Sequence, residues 1–237
     1  IPKTVDNDLP ITDCSPGFGS VAKYVATSTL EAGLDVKSMS ETSTKVFILE
    51  VMGRHAGWIA AASSLASTNE TDPPHIILMP EVPFAKKKFI DKVKETVASE
   101  GFCVVVASEG TRYKNGMFLA DSGLKDAFGH KQLGGVAPVL AQMISSIGLK
   151  NHWAVSDYLQ RSARHISSKT DLDQAYAVGK KAVEFALAGK NAVMPVIKRL
   201  SNKPYKWKVE SASLSKVANV EKTLPKGYIS KDGFRIT

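Results

Sequence analysis

The sequence predicts an α/β fold with a doubly wound, mostly parallel sheet. Two observations predict it. Short apolar runs rich in β-branched residues alternate with longer segments of helical period, and polar clusters fall just after several of those runs. The opening IPKTVDNDLP carries Pro2 and Pro10, which bias the residues before them away from the α region, so it is expected to be extended or looped. Ser15 and Pro16 then offer an N-cap and a first helical position; Phe18, Val21, Ala22, Val25, Ala26 and Leu30 follow at helical spacing, and Gly33 is expected to end the helix.

KVFILEV (45–51) reads as a strand, AGWIAAASSLAS (56–67) as a helix rich in small residues, and HIILMP (75–80) as the next strand. A helix around FIDKVKETVASE, a strand FCVVVAS (102–108), a helix around VAPVLAQMISSIG and a strand near HWAVSDY (152–158) continue the alternation. Residues 171–189 carry Ala175, Val178, Ala182, Phe185 and Ala186 on one stripe and form a helix ended by Gly189. Beyond it, two strands and a short terminal helix are expected. No internal repeat or low-complexity segment is visible.

At 237 residues and 43% hydrophobic content the chain can bury a full core. No apolar run approaches the ~20 residues of a membrane span, and the start lacks a signal peptide's basic and apolar regions. A cytoplasmic protein with no membrane partner is therefore expected. Cys14 and Cys103 are too few for a disulfide framework and lack metal-ligand spacing; Cys103, inside FCVVVA, reads as a buried inert thiol. The net charge of +8 favours anionic partners without choosing among them. KKK (86–88) reads as the solvated start of an amphipathic helix, and KRLSNKPYKWK (198–208) as a half-exposed β-hairpin rather than a nucleic-acid strand.

If the opening stretch is extended, Thr4, Asp6 and Asp8 project to one side, opposite Lys3, Val5 and Asn7. A hydroxyl and two carboxylates so placed could hold Mg2+ and accept a proton from a hydroxyl, as phosphoryl transfer requires. An Asx-rich loop that merely caps turns has the same composition. MGRH (52–55), SEGTR (108–112) and YLQR (158–161) each follow a predicted strand, the rim where open α/β sheets bind ligands. Singly, each also has a structural reading: Arg54 and Arg161 as surface ion pairs, Glu109 as a charge at a helix start, Tyr158 as packing at a strand end.

PKTVDND followed by a helix, EVMGRHAGW after a strand and DYLQRSARH after a later one, in order along nearly the whole chain, resemble the phosphofructokinases, especially their pyrophosphate-dependent branch. The resemblance implies a phosphofructokinase-like fold with two lobes in the complete enzyme. Residues 1–35 would carry the catalytic loop and following helix of the donor lobe, 36–165 the sugar-phosphate lobe, and 166–237 a return to the donor lobe with a C-terminal hairpin. It implies transfer of a phosphoryl group to the 1-hydroxyl of fructose 6-phosphate, giving fructose 1,6-bisphosphate in glycolysis, with Mg2+ as cofactor and a homo-oligomeric assembly.

By resemblance, Asp6 is the general base, Asp8 holds the metal and orients the base, Thr4 contacts the transferred phosphate, and Lys3 faces the donor. Met52, Gly53 and Arg54 would meet the sugar phosphate, Glu109 its ring hydroxyls, and Tyr158 and Arg161 its 6-phosphate. Lys45 stands where some relatives place an arginine that reaches a neighbouring subunit's site. The family's glycine-rich donor loop, which precedes PKTVDND, is not in this sequence, so the chain is expected to be part of a longer enzyme that carries the acceptor site and the base. Lys3 suits pyrophosphate as donor, as do the MGRHAGW and YLQRSARH wordings; ATP, or a non-catalytic regulatory subunit of the same family, is the alternative.

Overall fold

The structure, a computed structural model, describes residues 1–125, 131–133 and 135–237, with side chains for all of these except residues 122–125 and 131–133. In chain order the first elements are α1 (Phe18–Met39), β1 (Val46–Val51), α2 (Trp58–Ala62), β2 (Ile76–Leu78), α3 (Lys86–Glu100) and β3 (Cys103–Ser108). They are followed by β4 (Asp121–Lys125), β5 (Lys131–Leu133), α4 (Val136–Ser145), β6 (Asn151–Val155), α5 (Leu159–Ser162), α6 (Lys169–Leu187), β7 (Val193–Asn202) and β8 (Tyr205–Ser213).

Four strands form one wholly parallel sheet in the order β2-β3-β1-β6, with Ile48 level with Val105 on one side and Trp153 on the other. Because side chains alternate along a strand, Val46, Ile48, Cys103 and Val105 face one way and pack with Phe89 and Val93 of α3 and with Leu140 and Ile144 of α4. Leu49, Val51, Ile77 and Val106 face the other way, against Val21 and Val25 of α1 and Ile59 of α2. Helices thus cover both faces, the doubly wound arrangement expected, and this is why β1 and β3 read as continuous apolar runs rather than alternating ones. Each fully buried Val, Ile, Leu or Phe here contributes roughly 1.5–3 kcal/mol.

Three local expectations are corrected. First, α1 does not stop at Gly33 but runs to Met39. Gly33 is a buried contact point where a Cβ would lie 2.6 Å from Pro73 Cγ, so the missing side chain lets the helix approach the turn before β2. Second, Ser15 does not cap α1. Its N-cap is Gly17 at φ 101°, and the free N–H groups of Gly17 and Ser20 donate to Asp171 of α6 at 2.8 and 3.1 Å. Third, the chain ends not in a helix but in single turns at Leu214–Lys216 and Lys226–Tyr228 and an extended tail. The antiparallel pair β4–β5 was not foreseen from the sequence, whereas the hairpin β7–β8 was.

The opening segment lies against this hairpin. Leu9 and Ile11 pack on Met194, Val196, Ala212 and Val217, and Asp13 N donates to Ile197 O at 2.8 Å.

Candidate active site

The parallel order aligns the C-terminal ends of β1, β3 and β6, so the loops that leave them meet. After β1 the chain turns at Gly53, whose φ of 128° is open to glycine and where a Cβ would fall 2.6 Å from Ala56 O. After β3, Glu109 N donates to Val51 O at 2.9 Å, and Glu109 Oε1 accepts from Gly53 N at 3.4 Å. Gly110 passes so close to the first loop that a Cβ would overlap Arg54 O at 1.9 Å. Ser108 Oγ donates to Gly53 O at 2.5 Å and closes the same junction. After β6, Gln160 is 2% exposed, and its Oε1 accepts from Met52 N at 3.2 Å. Met52, Gly53, Arg54 and Glu109 are therefore one structure, with the DYLQR segment bonded to it through Gln160.

The TVDND loop joins this rim electrostatically. Burial first, then the charges of Asp8 and Glu109, raise the Asp6 pKa from 3.8 to about 6, while Arg54 and His55 pull it down. Burial also raises Glu109, against the bond from Gly53 N and the charge of Arg54. A carboxylate whose proton is held near neutrality is suited to general-base work. The expected straight alternation of this stretch is not what the chain adopts. It bends, with Asn7 in the left-handed region at φ 59°; Thr4 Oγ1 accepts from Asp6 N at 3.1 Å, and Asn7 is the residue turned inward, 3% exposed.

Arg161 lies with its guanidinium carbon 4.1 Å from the Tyr158 ring centroid, and Tyr158 is exposed. Lys3 is also exposed, at the edge of the opening segment. Lys45 is not brought to the rim: it precedes β1 at the opposite end of the strand, and its Nζ donates to Ser40 O. Both cysteines are free; burial pushes Cys14 to about 11 and Cys103 to about 12, so neither is a ready nucleophile. Among the described residues no group of three or more His, Cys, Asp and Glu side chains could hold a metal ion by itself.

Comparison with known proteins gives the family. Residues 1–186 match the family described as phosphofructokinase. The chain belongs to the phosphofructokinase family. It is 66% identical over 238 residues to the pyrophosphate--fructose 6-phosphate 1-phosphotransferase of Halomonas elongata, and 61% identical over 238 residues to the protein of the same name from Methylococcus capsulatus. Both matches cover 100% of this chain and 57% of the relative. The crystal structure of a pyrophosphate-dependent phosphofructokinase from Marinobacter aquaeolei superposes with a TM-score of 0.88 at 61% identity, covering 100% of this chain and 56% of that one. The chain thus spans a little over half the length of the relatives it matches.

Several residues of this candidate site carry no readable signal in the sequence. Gln160 sits inside the YLQR cluster, yet its role as the bolt between two loops depends on a partner 108 residues away. Glu50, 5% exposed beneath the rim, accepts from Ala137 N at 2.7 Å at the start of α4, and burial raises its pKa. His55 Nδ1 meets Glu221 Oε1 at 2.5 Å, and Lys222 N donates to Asp8 O at 2.6 Å. Glu221 and Lys222 lie beyond the matched residues 1–186, in a tail with no motif of its own.

Proposed function

We propose that the full-length protein transfers a phosphoryl group from pyrophosphate to the 1-hydroxyl of fructose 6-phosphate, and that this chain carries the acceptor site and the base. The observation that carries the reading is Asp6, its proton held to about 6 by burial and by the charges of Asp8 and Glu109, with Arg54 pulling the other way. It occurs in a chain 66% identical to an enzyme of that name.

In this reading Asp6 takes the proton of the 1-hydroxyl as the oxygen attacks. Its raised basicity matches the near-neutral pH at which a base must be both ionised and able to hold a proton. Arg54, partly buried and coupled to Asp6 and Glu109, offers a cation for phosphate oxygens, and Glu109 accepts hydrogen bonds from ring hydroxyls. Arg161, stacked on Tyr158, presents a planar fork to the 6-phosphate. Met52 and Gly53 contribute backbone that Gln160 and Glu109 hold in place. Thr4 and Lys3 face the transferred phosphate and the donor.

Two carboxylates without a third protein ligand suit Mg2+, which is commonly held by one or two carboxylates and substrate phosphates rather than by an all-protein cage. Asp8, with Asp6 beside it, would hold it; the ion supplies charge neutralisation on the phosphoryl group in transit. Residues 166–237 return to the opening segment through α6 and the hairpin, as a donor-lobe assignment requires, with 36–165 as the sugar-phosphate lobe. Lys45, remote from its own chain's rim, fits a site only across a homo-oligomer contact. A cytoplasmic setting accords with the metabolites; no described helix is long and apolar enough to cross a membrane.

The test is a donor assay on the full-length protein with Mg2+, fructose 6-phosphate, and either pyrophosphate or ATP. Fructose 1,6-bisphosphate should form from pyrophosphate. Turnover with ATP alone would overturn the donor, and turnover with neither would point to a non-catalytic subunit.

A further inference from the structure

The loop that carries Asp6 and Asp8 is held in an uncommon shape. Asn7 has φ 59° and Ile11 φ 71°, and a β-branched residue in the left-handed region persists only where its surroundings impose it. What imposes it comes from the tail. An ammonium has three N–H donors, and those of Lys222 are fully used: Nζ donates to Asn7 Oδ1 at 3.2 Å, Thr12 O at 3.1 Å and Asp13 O at 3.2 Å.

The main chain of Lys222 is fixed as well. Its N–H donates to Asp8 O at 2.6 Å, and its carbonyl accepts from Trp58 Nε1 at 2.7 Å, with Nζ 5.4 Å from the Trp58 ring centroid. Asn7 Oδ1 in turn accepts from Ser15 N at 3.0 Å, so one buried amide oxygen ties the loop to the start of the α1 segment and to the tail. The neighbouring Glu221 reaches His55 of the MGRH loop. A single dipeptide therefore touches both the TVDND loop and the MGRH loop.

We propose that Lys222 is a positioning residue for the reaction: it pins Asn7 inward and the 12–13 backbone in place, which holds the flanking Asp6 and Asp8 in their positions beside the rim. The proposal rests on the phosphoryl-transfer reading above. A cation suits the task because it satisfies three acceptors from one point and lies beside the acidic loop without entering it. Misplacing reacting groups by about 1 Å costs on the order of a hundredfold in rate.

The experiment uses the full-length enzyme and the variants Lys222→Met and Lys222→Ala. In Lys222→Met, kcat should fall by about a hundredfold while the KM for fructose 6-phosphate stays within about threefold, because the acceptor contacts lie on other loops. Added ethylammonium should restore part of the kcat of Lys222→Ala in a saturable way, which a merely structural role would not produce. Hydrogen exchange gives a readout independent of activity: amides in residues 6–15 should lose protection in Lys222→Met while those of β1 and β3 keep theirs. An active wild type whose Lys222→Met retains kcat would overturn the positioning role and leave the function intact. A wild type inactive with either donor would defeat the functional reading, and exchange would still decide whether Lys222 holds the loop. Loss of sugar-phosphate binding in both variants would mark Lys222 as a general structural residue and refute the proposal.

Discussion

At Asp6, what suits the residue to a base's work opposes folding. The same burial and the same Asp8 and Glu109 charges that hold its proton to about 6 make its ionised form costly in the folded chain. The folded pKa lies above the unfolded value of 3.8, so this group stabilises the fold relative to its ionised form below that value, and the contribution is lost as pH rises through about 6. Asp6→Asn in the full-length enzyme should therefore lower kcat by roughly 10²–10⁴ with little change in the fructose 6-phosphate KM. In metal-free buffer the same variant should melt a few degrees above wild type at pH 8, and the difference should vanish near pH 4. Turnover within tenfold of wild type would reject Asp6 as the base; equal melting points at pH 8 would reject the crowding of charge around it. The residue types of the candidate site were legible in the sequence; the raised basicity of Asp6 was not, since it comes from burial and from Glu109 on another loop, against the pull of Arg54.

The elements show the same division. The helical spacing of Val21 and Val25 marked α1 and the amphipathic run FIDKVKETVASE marked α3, because each helix buries one stripe. The termini were less readable: α1 is capped by Asp171 of α6, whose carboxylate accepts from Gly17 N, Ser20 N and Ser20 Oγ, a partner about 150 residues distant. Between β2 and β3 a histidine takes part in the pairing. His75 Nδ1 accepts from Val104 N at 2.9 Å and Nε2 lies 3.2 Å from Thr71 O, which fixes the neutral tautomer with its proton on Nε2. Burial, with the charge of Arg235 adding to it, lowers His75 from 6.5 to about 4, against Thr71, Glu100 and Asp72. A depressed pKa means stability present above 6.5 and lost as pH falls toward 4. His75→Asn, which keeps an acceptor for Val104 N, should be less stable than wild type at pH 7.5, and the gap should narrow by roughly 2 kcal/mol at pH 4.5 in denaturant titrations. A gap independent of pH would show that His75 takes up its proton as readily in the folded chain as in the unfolded one.

Across the whole molecule, the tail after β8 holds the layers together. Ile77 N of the outer strand β2 donates to Phe234 O at 2.8 Å, and Leu224 N donates to Glu81 Oε1 at 2.8 Å. The Arg235 guanidinium donates to the carbonyls of Glu70, Asp72 and Pro74. Arg235→Ala removes the donors for these carbonyls and should cost about 1–3 kcal/mol, read as a fall in melting temperature of roughly 3–9 °C. An unchanged midpoint would place the tether elsewhere in the tail. By itself, the sequence determined the order and kind of most elements and the place of the rim clusters, because periods of two and near 3.6 and the positions of Gly and Pro are local properties of a chain. The strand order β2-β3-β1-β6, the buried contact at Gly33, the proton held on Asp6 and the grip of Lys222 were decided only by the tertiary structure. Each of these depends on groups brought together from distant parts of the chain, and a local pattern cannot encode which distant backbone arrives beside it.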